Sequence, residues 1–287
     1  MPGYAVKSCA RAGMRRHLQF GGTVTLSRLI WQVVYQCDVL IAGRYLPHAS
    51  IGLYSVSLHV ATLPMQKIMG VVNQVALPAV SRLQTELPRL RARLLEASRL
   101  LTFASVGLLW GLSSVAPEFV RVVMGDQWHD AIYPLRVICL VVPLRMLNAI
   151  FSTSTIGLGR AGVDLRNSVV NVVVLPAAFF SGVHWGVNGL ATSWAVAVPV
   201  LFAIVFPRIS RAIGITLREI ADSVWAPVVS GLAMWAAVLG ARALTPQLHD
   251  AARLVLLVAT GGIVYLAVAL TIDRRIRPEI RRLVTAF

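Results

Sequence analysis

The sequence predicts an all-α polytopic membrane protein with about eight transmembrane helices, and three observations carry that prediction. Of its 287 residues 57% are hydrophobic and only 14% charged, with a mean hydropathy of +0.72, which is more apolar than a soluble domain of this size. Apolar stretches of about 20 residues, the length that crosses a hydrocarbon core, recur along the whole chain. The basic residues sit in short clusters between those stretches, as the positive-inside rule produces.

Eight such stretches can be placed. The first runs near 20–43 and the second near 51–80, where Pro64 is expected to bend a long helix. The third lies near 99–118 and the fourth near 132–153. Residues 167–207 carry no charge and are twice too long for one helix, but SGVHWGVNG at 181–189 supplies a turn that divides them. The last two lie near 223–243 and 253–272.

Arginine and lysine in the connections orient these segments. Nineteen lie on one side: four in the N-terminal segment, five at 82–99, Arg160 and Arg166, Arg208, Arg211 and Arg218, and five in the tail. Four lie on the other, Arg44, Arg121, Arg242 and Arg253. Both termini are therefore expected to be cytoplasmic. The 82–99 connection places leucines at 83, 87, 90, 94 and 95 between arginines. That pattern fits either an amphipathic helix lying on an anionic inner leaflet or a solvated linker.

The net charge of +15 does not point to nucleic acid, because the arginines follow the membrane topology rather than forming one patch. Cys9, Cys37 and Cys139 show neither disulfide nor metal spacing, and no metal site or cofactor is predicted. The first sixteen residues contain no apolar core of a signal peptide. Apart from Asp38, every acid falls in a connection or at a segment end, so a buried acid–base pair has few candidates. An integral-membrane enzyme would need loop residues such as Asp126, His129 and Asp130 to gather at one outer pocket.

Ionisable groups inside the apolar segments are costly, about 2.5–3.5 kcal/mol each at a bilayer centre, and mark interior faces or watery paths. Arg28 and Gln32 recur at helical spacing with Gln36 on the first segment, and Asp38 lies about 15 Å further along the axis. On the second segment Lys67, Gly70 and Gln74 share a face, and on the fourth Arg145 and Asn148 do. Asp38 reads either as neutralising a neighbouring cation or as binding one. Arg136, near a segment end, reads as snorkelling to the interface. Lys67 is about 20 Å from either end of its segment and has no interface to reach. The surplus of interior cations suits an anionic cargo such as a phosphate, a diphosphate or an acidic sugar.

The segments RRHLQFGGTVTLSRLIWQ, D-x-L-I-A-G-R, I-G-L-Y-S-V-S, L-P-M-Q-K-I and N-Q-V-A-L-P-A-V-S-R-L-Q resemble the C-terminal half of bacterial polysaccharide-repeat flippases, of the multidrug/oligosaccharidyl-lipid/polysaccharide superfamily. M-G-D-Q-W-H-D-A and G-V-N-G-L-A are similar to that family too. The resemblance covers roughly residues 15–210. It implies two six-helix lobes around a cationic cavity, often with two extra C-terminal helices. It also implies alternating access that carries an undecaprenyl-diphosphate-linked oligosaccharide across the bacterial inner membrane.

On that resemblance the chain divides into a basic segment at 1–19, a six-helix lobe at 20–207, a loop and two additional helices at 208–272, and a basic tail at 273–287. The first lobe is absent, so a missing N-terminal lobe or a partner subunit is expected, with membrane lipids and the lipid-linked oligosaccharide as ligands. Arg28, Gln32, Asp38, Lys67, Gln74, Arg145 and Asn148 are the candidate cavity residues. A non-transporting subunit of a polysaccharide assembly complex and an integral-membrane transferase are the competing expectations.

Overall fold

A computed structural model describes residues 3–82, 86–245 and 248–273, with side chains at 21–34, 36–70, 86–245 and 248–273. Every regular element among them is helical. The order is α1 (Gly3–Tyr45), α2 (His48–Arg82), α3 (Leu87–Ser105), α4 (Gly111–Ser114), α5 (Ala116–Phe119), α6 (Ile132–Gly157), α7 (Ala161–Gly182), α8 (Gly186–Ile213), α9 (Leu217–Leu244) and α10 (Asp250–Ile272). Each of the eight apolar stretches lies within helix. Among the described residues four segments are long and apolar enough to cross a membrane, or five if the bent pair Leu87–Ser114 and Ala116–Met124 counts as one. The protein is thus an all-helical, multi-pass membrane protein.

Several boundaries depart from the expectations. α1 reaches back to Gly3, and α2 extends from His48 to Arg82 as the one long helix expected around Pro64. The 87–99 part of the basic connection is helix rather than a solvated linker. Pro88 opens α3, where its missing N–H costs no hydrogen bond. Leu90, Leu94 and Leu101 then bury one face against the bundle, while Arg93 pairs with Glu96 on the exposed face at 2.8 Å. Protein, not lipid, takes the leucine stripe.

α3 passes into a π-turn at Val106–Trp110, and the rod bends by 71° before Ala116. A π-turn adds a residue to the helical ladder and disturbs its hydrogen bonding, and neighbours bind to this stretch. The Tyr265 hydroxyl donates to the Phe103 carbonyl at 2.7 Å, and Trp110 Nε1 donates to Leu140 O on α6 at 3.0 Å. α9 and α10 are fastened here, around a small apolar cluster of Val106, Val115, Met234, Val238, Leu257 and Tyr265. The larger core draws its residues from α1 to α8, with Ile220 at the start of α9.

The division of residues 167–207 falls where the sequence placed it, in a 3₁₀ turn at Val183–Trp185. Gly186 there takes a φ of +69°, a region open to glycine and strained for other residues. Just inside the turn α7 and α8 approach so closely that a methyl group on Gly189 would meet the Gly182 carbonyl. A backbone atom cannot step aside as a flexible side chain can. Gly189→Ala is therefore expected to destabilise the hairpin by about 1–3 kcal/mol, the usual cost of overpacking. A thermal unfolding midpoint unchanged in detergent would refute this close packing.

Contacts at the ends show how the rods alternate. Arg91 Nε reaches Ile213 O at 3.1 Å and Arg160 Nη1 reaches Ala212 O at 2.7 Å, so the start of α3, the α6–α7 connection and the end of α8 share one end. At the opposite end Arg121 lies 3.7 Å from Asp250 and Tyr45 meets Phe180 edge-on. α9 begins at the arginine-rich end with a capping box. The Thr216 backbone N–H and hydroxyl both bond Glu219, and the Glu219 backbone N–H donates to the Thr216 hydroxyl in return.

Candidate functional site

A cavity of about 250 Å³ lies among α1, α2, α6, α7 and α8, reached by Trp31, Met65, Arg145, Asn148, Asn171 and Trp194. Its polar wall is built from the interior outward. Asp38, on α1, is fully buried. A buried carboxylate requires donors, and it finds one sixteen residues later, where Tyr54 Oη of α2 donates to Oδ2 at 2.7 Å. The same hydroxyl accepts from Trp194 Nε1 of α8 at 2.8 Å. The Arg145 guanidinium of α6 then lies 4.1 Å above the Trp194 ring, a cation–π contact worth about 2 kcal/mol where water is excluded.

Four helices are joined in this way by a single chain of polar contacts. Its consequence is positional: the guanidinium is presented to the cavity by a ring that cannot rotate without breaking its buried bond to Tyr54. Asn148, one turn along α6 from Arg145, brings a buried Oδ1 without a hydrogen-bond partner among the described residues. Buried acceptors in native proteins normally have one. A donor from water or a ligand in the cavity would satisfy it.

The structure brings two of the candidate residues, Arg145 and Asn148, to this cavity and sets Asp38 behind it. Asp38 takes its side-chain hydrogen bond from the Tyr54 phenol, and the Arg145 charge acts on it from further off. Arg28, Gln32 and Lys67 are exposed instead. They share the open surface of α1 and α2 with Leu29 and Val33, which are 60% and 66% exposed. Gln74 lies outside the described side chains. Arg136 Nε donates to Ser113 O at 3.4 Å, and the Ser113 hydroxyl bonds the Arg136 carbonyl in return.

Sequence reasoning missed Tyr54 and Trp194, which carry the network. The signal was available in part, because an indole N–H is a donor only and a buried Asp an acceptor only, so each needs a partner. It also missed a charged cluster at the far end. Glu118, 3% exposed at its side chain, takes Arg242 in a two-point contact at 2.9 and 2.7 Å, with Arg253 at 3.7 Å. A second, wider groove of about 520 Å³ at that end gathers Arg121, His129, Asp130, Tyr133, Trp185 and Asn188. Asp126 does not line it.

The described residues thus form a helical bundle of a multi-pass membrane protein, with an arginine seated on an aromatic ring in its interior and cationic and amide groups exposed on its first two helices. Residues 5–133 match the family model described as polysaccharide biosynthesis protein. The teichuronic acid biosynthesis protein TuaB of Bacillus subtilis (strain 168) is 26% identical over 258 residues, 88% of this chain and 53% of the relative. The lipopolysaccharide biosynthesis protein WzxC of Escherichia coli (strain K12) is 24% identical over 219 residues, 75% of this chain and 44% of that one. The succinoglycan biosynthesis transport protein ExoT of Rhizobium meliloti (strain 1021) is 22% identical over 166 residues, 58% of this chain and 34% of the relative.

The chain is thus similar in sequence to bacterial polysaccharide biosynthesis proteins, as the resemblance of its motifs implies. It spans about half the length of the first of these relatives and less of the others. No solved structure matches it.

Proposed function

We propose that the chain is one lobe of a flippase that moves lipid-linked (undecaprenyl-diphosphate) oligosaccharide repeat units across the bacterial inner membrane, acting with a second lobe that it does not contain. All eight rods cross the membrane in this reading: α1, α2, the bent rod from α3 to α5, α6, α7, α8, α9 and α10. The arginine-rich end is cytoplasmic.

The observation that supports it best is the open face of α1 and α2. Arg28, Gln32 and Lys67 are exposed there among apolar side chains, and cations facing lipid at that depth are too costly to persist without hydration, a ligand or a covering partner. A second lobe packed opposite would convert the face into one wall of a cationic cavity, as alternating access between two repeats requires. Trp31 and Met65 line the enclosed cavity from the same two helices.

The test is a chimera. Joined to the part of TuaB that lies outside the match, the chain is expected to restore teichuronic acid production in a strain lacking TuaB, and the chain alone is expected to fail. In the chimera Arg28→Ala with Lys67→Ala should reduce production at least about tenfold, the equivalent of about 1.4 kcal/mol of binding. Production by the chain alone would sink the lobe reading; production unaffected by the double substitution would sink the cationic wall.

One observation favours a second reading, an integral-membrane transferase: the far-end groove does gather His129 and Asp130 beside Arg121. Loss of production by His129→Ala or Asp130→Ala with unchanged lipid-linked substrate transport would support it.

A further inference from the structure

At the arginine-rich end, between the start of α7 and the end of α8, Arg160, Arg166, Arg208 and Arg211 line one pocket of about 220 Å³ with Val163 and Ala212. That is room for about seven waters at ~30 Å³ each. Four like charges around one hollow repel each other, whereas several other arginines among the described residues have a carboxylate. Arg93 has Glu96, Arg99 has Asp273, Arg121 has Asp250, and Arg242 and Arg253 share Glu118. Among the described residues no carboxylate pairs with any of these four. The nearby Asp164 of α7 is buried and takes the Ser152 hydroxyl.

The bland alternative is that the arginines only cap α8, whose last carbonyls lack helical donors. Capping is present: Arg160 Nη1 donates to Ala212 O at 2.7 Å and Arg211 Nε to Pro207 O at 3.1 Å, while Arg208 Nη1 approaches Asn167 Oδ1 at 3.4 Å. Each guanidinium has five N–H donors, so capping employs a small part of the supply. The carbonyls also hold the Arg160 and Arg211 guanidinium groups in place at the hollow. A cluster of forks with spare donors and no paired carboxylate among the described residues matches the geometry of phosphate.

We propose that this pocket binds a phosphate group, presented by an anionic phospholipid of the adjoining leaflet or by a soluble phosphate. From the proposed function it takes only that this end of the bundle meets a bilayer surface.

The full chain in phosphatidylcholine nanodiscs, with or without phosphatidylglycerol, is treated with phenylglyoxal and arginine modification is mapped by mass spectrometry. Phosphatidylglycerol or added inorganic diphosphate is expected to slow modification of these four arginines several-fold relative to Arg89 and Arg93, which lie on α3. Protection by the lipid alone assigns a phospholipid, and protection by diphosphate alone assigns a soluble phosphate; either supports the site. Protection by neither, or equal protection of Arg89 and Arg93, overturns it. Arg160→Gln with Arg208→Gln should abolish protection at Arg166 and Arg211, whereas Arg89→Gln with Arg93→Gln, an equal loss of charge, should leave it intact. Because the readout on the unaltered chain stands by itself, misfolding of a variant leaves the test decisive. Cysteine labelling that placed this end outside the cell would overturn the topology while leaving phosphate protection where it was measured.

Discussion

Tyr54→Phe is expected to destabilise the bundle by about 2–6 kcal/mol, because one missing oxygen leaves two buried groups without partners at about 1–3 kcal/mol each. Those groups are Asp38 Oδ2 and Trp194 Nε1. The ring itself stays, so the packing volume is almost unchanged and the loss reports on hydrogen bonding alone. Asp38→Asn should cost less, since an amide oxygen can still accept from the phenol. Adding Asp38→Leu to Tyr54→Phe should recover part of the loss, as removing both partners of a buried bond is milder than removing one. Thermal midpoints by fluorescence-detected gel filtration would give the cycle. A midpoint for Tyr54→Phe equal to that of the unaltered chain would show that the network does not hold these helices together.

How much of this was legible beforehand depends on the range of the interaction concerned. Helix positions were legible because apolar length and turn residues are local, and the break at Val183–Trp185 fell inside the nine residues SGVHWGVNG. Local pattern also gave the arginine-rich end, where the contacts of Arg91 and Arg160 join connections predicted to share one side. It did not give the direction of a charge once its helix was packed. Arg28, Lys67 and Arg145 looked alike in sequence, yet the first two are exposed on α1 and α2 while the third is seated on Trp194. Nor could it give partners distant along the chain. The Asp38 network closes through Trp194, 140 residues beyond Tyr54, and Glu118 meets Arg242 across 124 residues. The leucine stripe of α3 left an amphipathic helix and a solvated linker both open, and pattern alone does not distinguish a lipid surface from a protein groove as the apolar partner.

The same kind of distant pairing makes Glu118 the residue on which the docking of α9 and α10 depends most. Its carboxylate is almost fully buried and holds Arg242 of α9 by two bonds. Arg253 of α10 approaches it at 3.7 Å and also donates to the Arg242 carbonyl. Arg136 on α6 contributes further positive charge to the same region. Glu118→Ala would leave Arg242 and Arg253 without their shared carboxylate, and breaking one side of a buried pair costs about 3–5 kcal/mol. The apolar cluster on which α9 and α10 otherwise rest is small, so the expected outcome is local: the pair loosens from the bend after α3 while the larger core persists. A cysteine introduced at Ser230, fully buried on α9, should then react with maleimide at least tenfold faster in the Glu118→Ala background (about 1.4 kcal/mol of opening), with the Tyr54 network still protecting the core. Replacing all three charges together, Glu118→Leu with Arg242→Met and Arg253→Met, should restore slow labelling, because an apolar substitute for a buried ionic cluster is often neutral or stabilising. Unchanged labelling in Glu118→Ala would mean that the helices are held by apolar contact alone, and failure of the triple variant to recover would mean that the ionic geometry itself positions them.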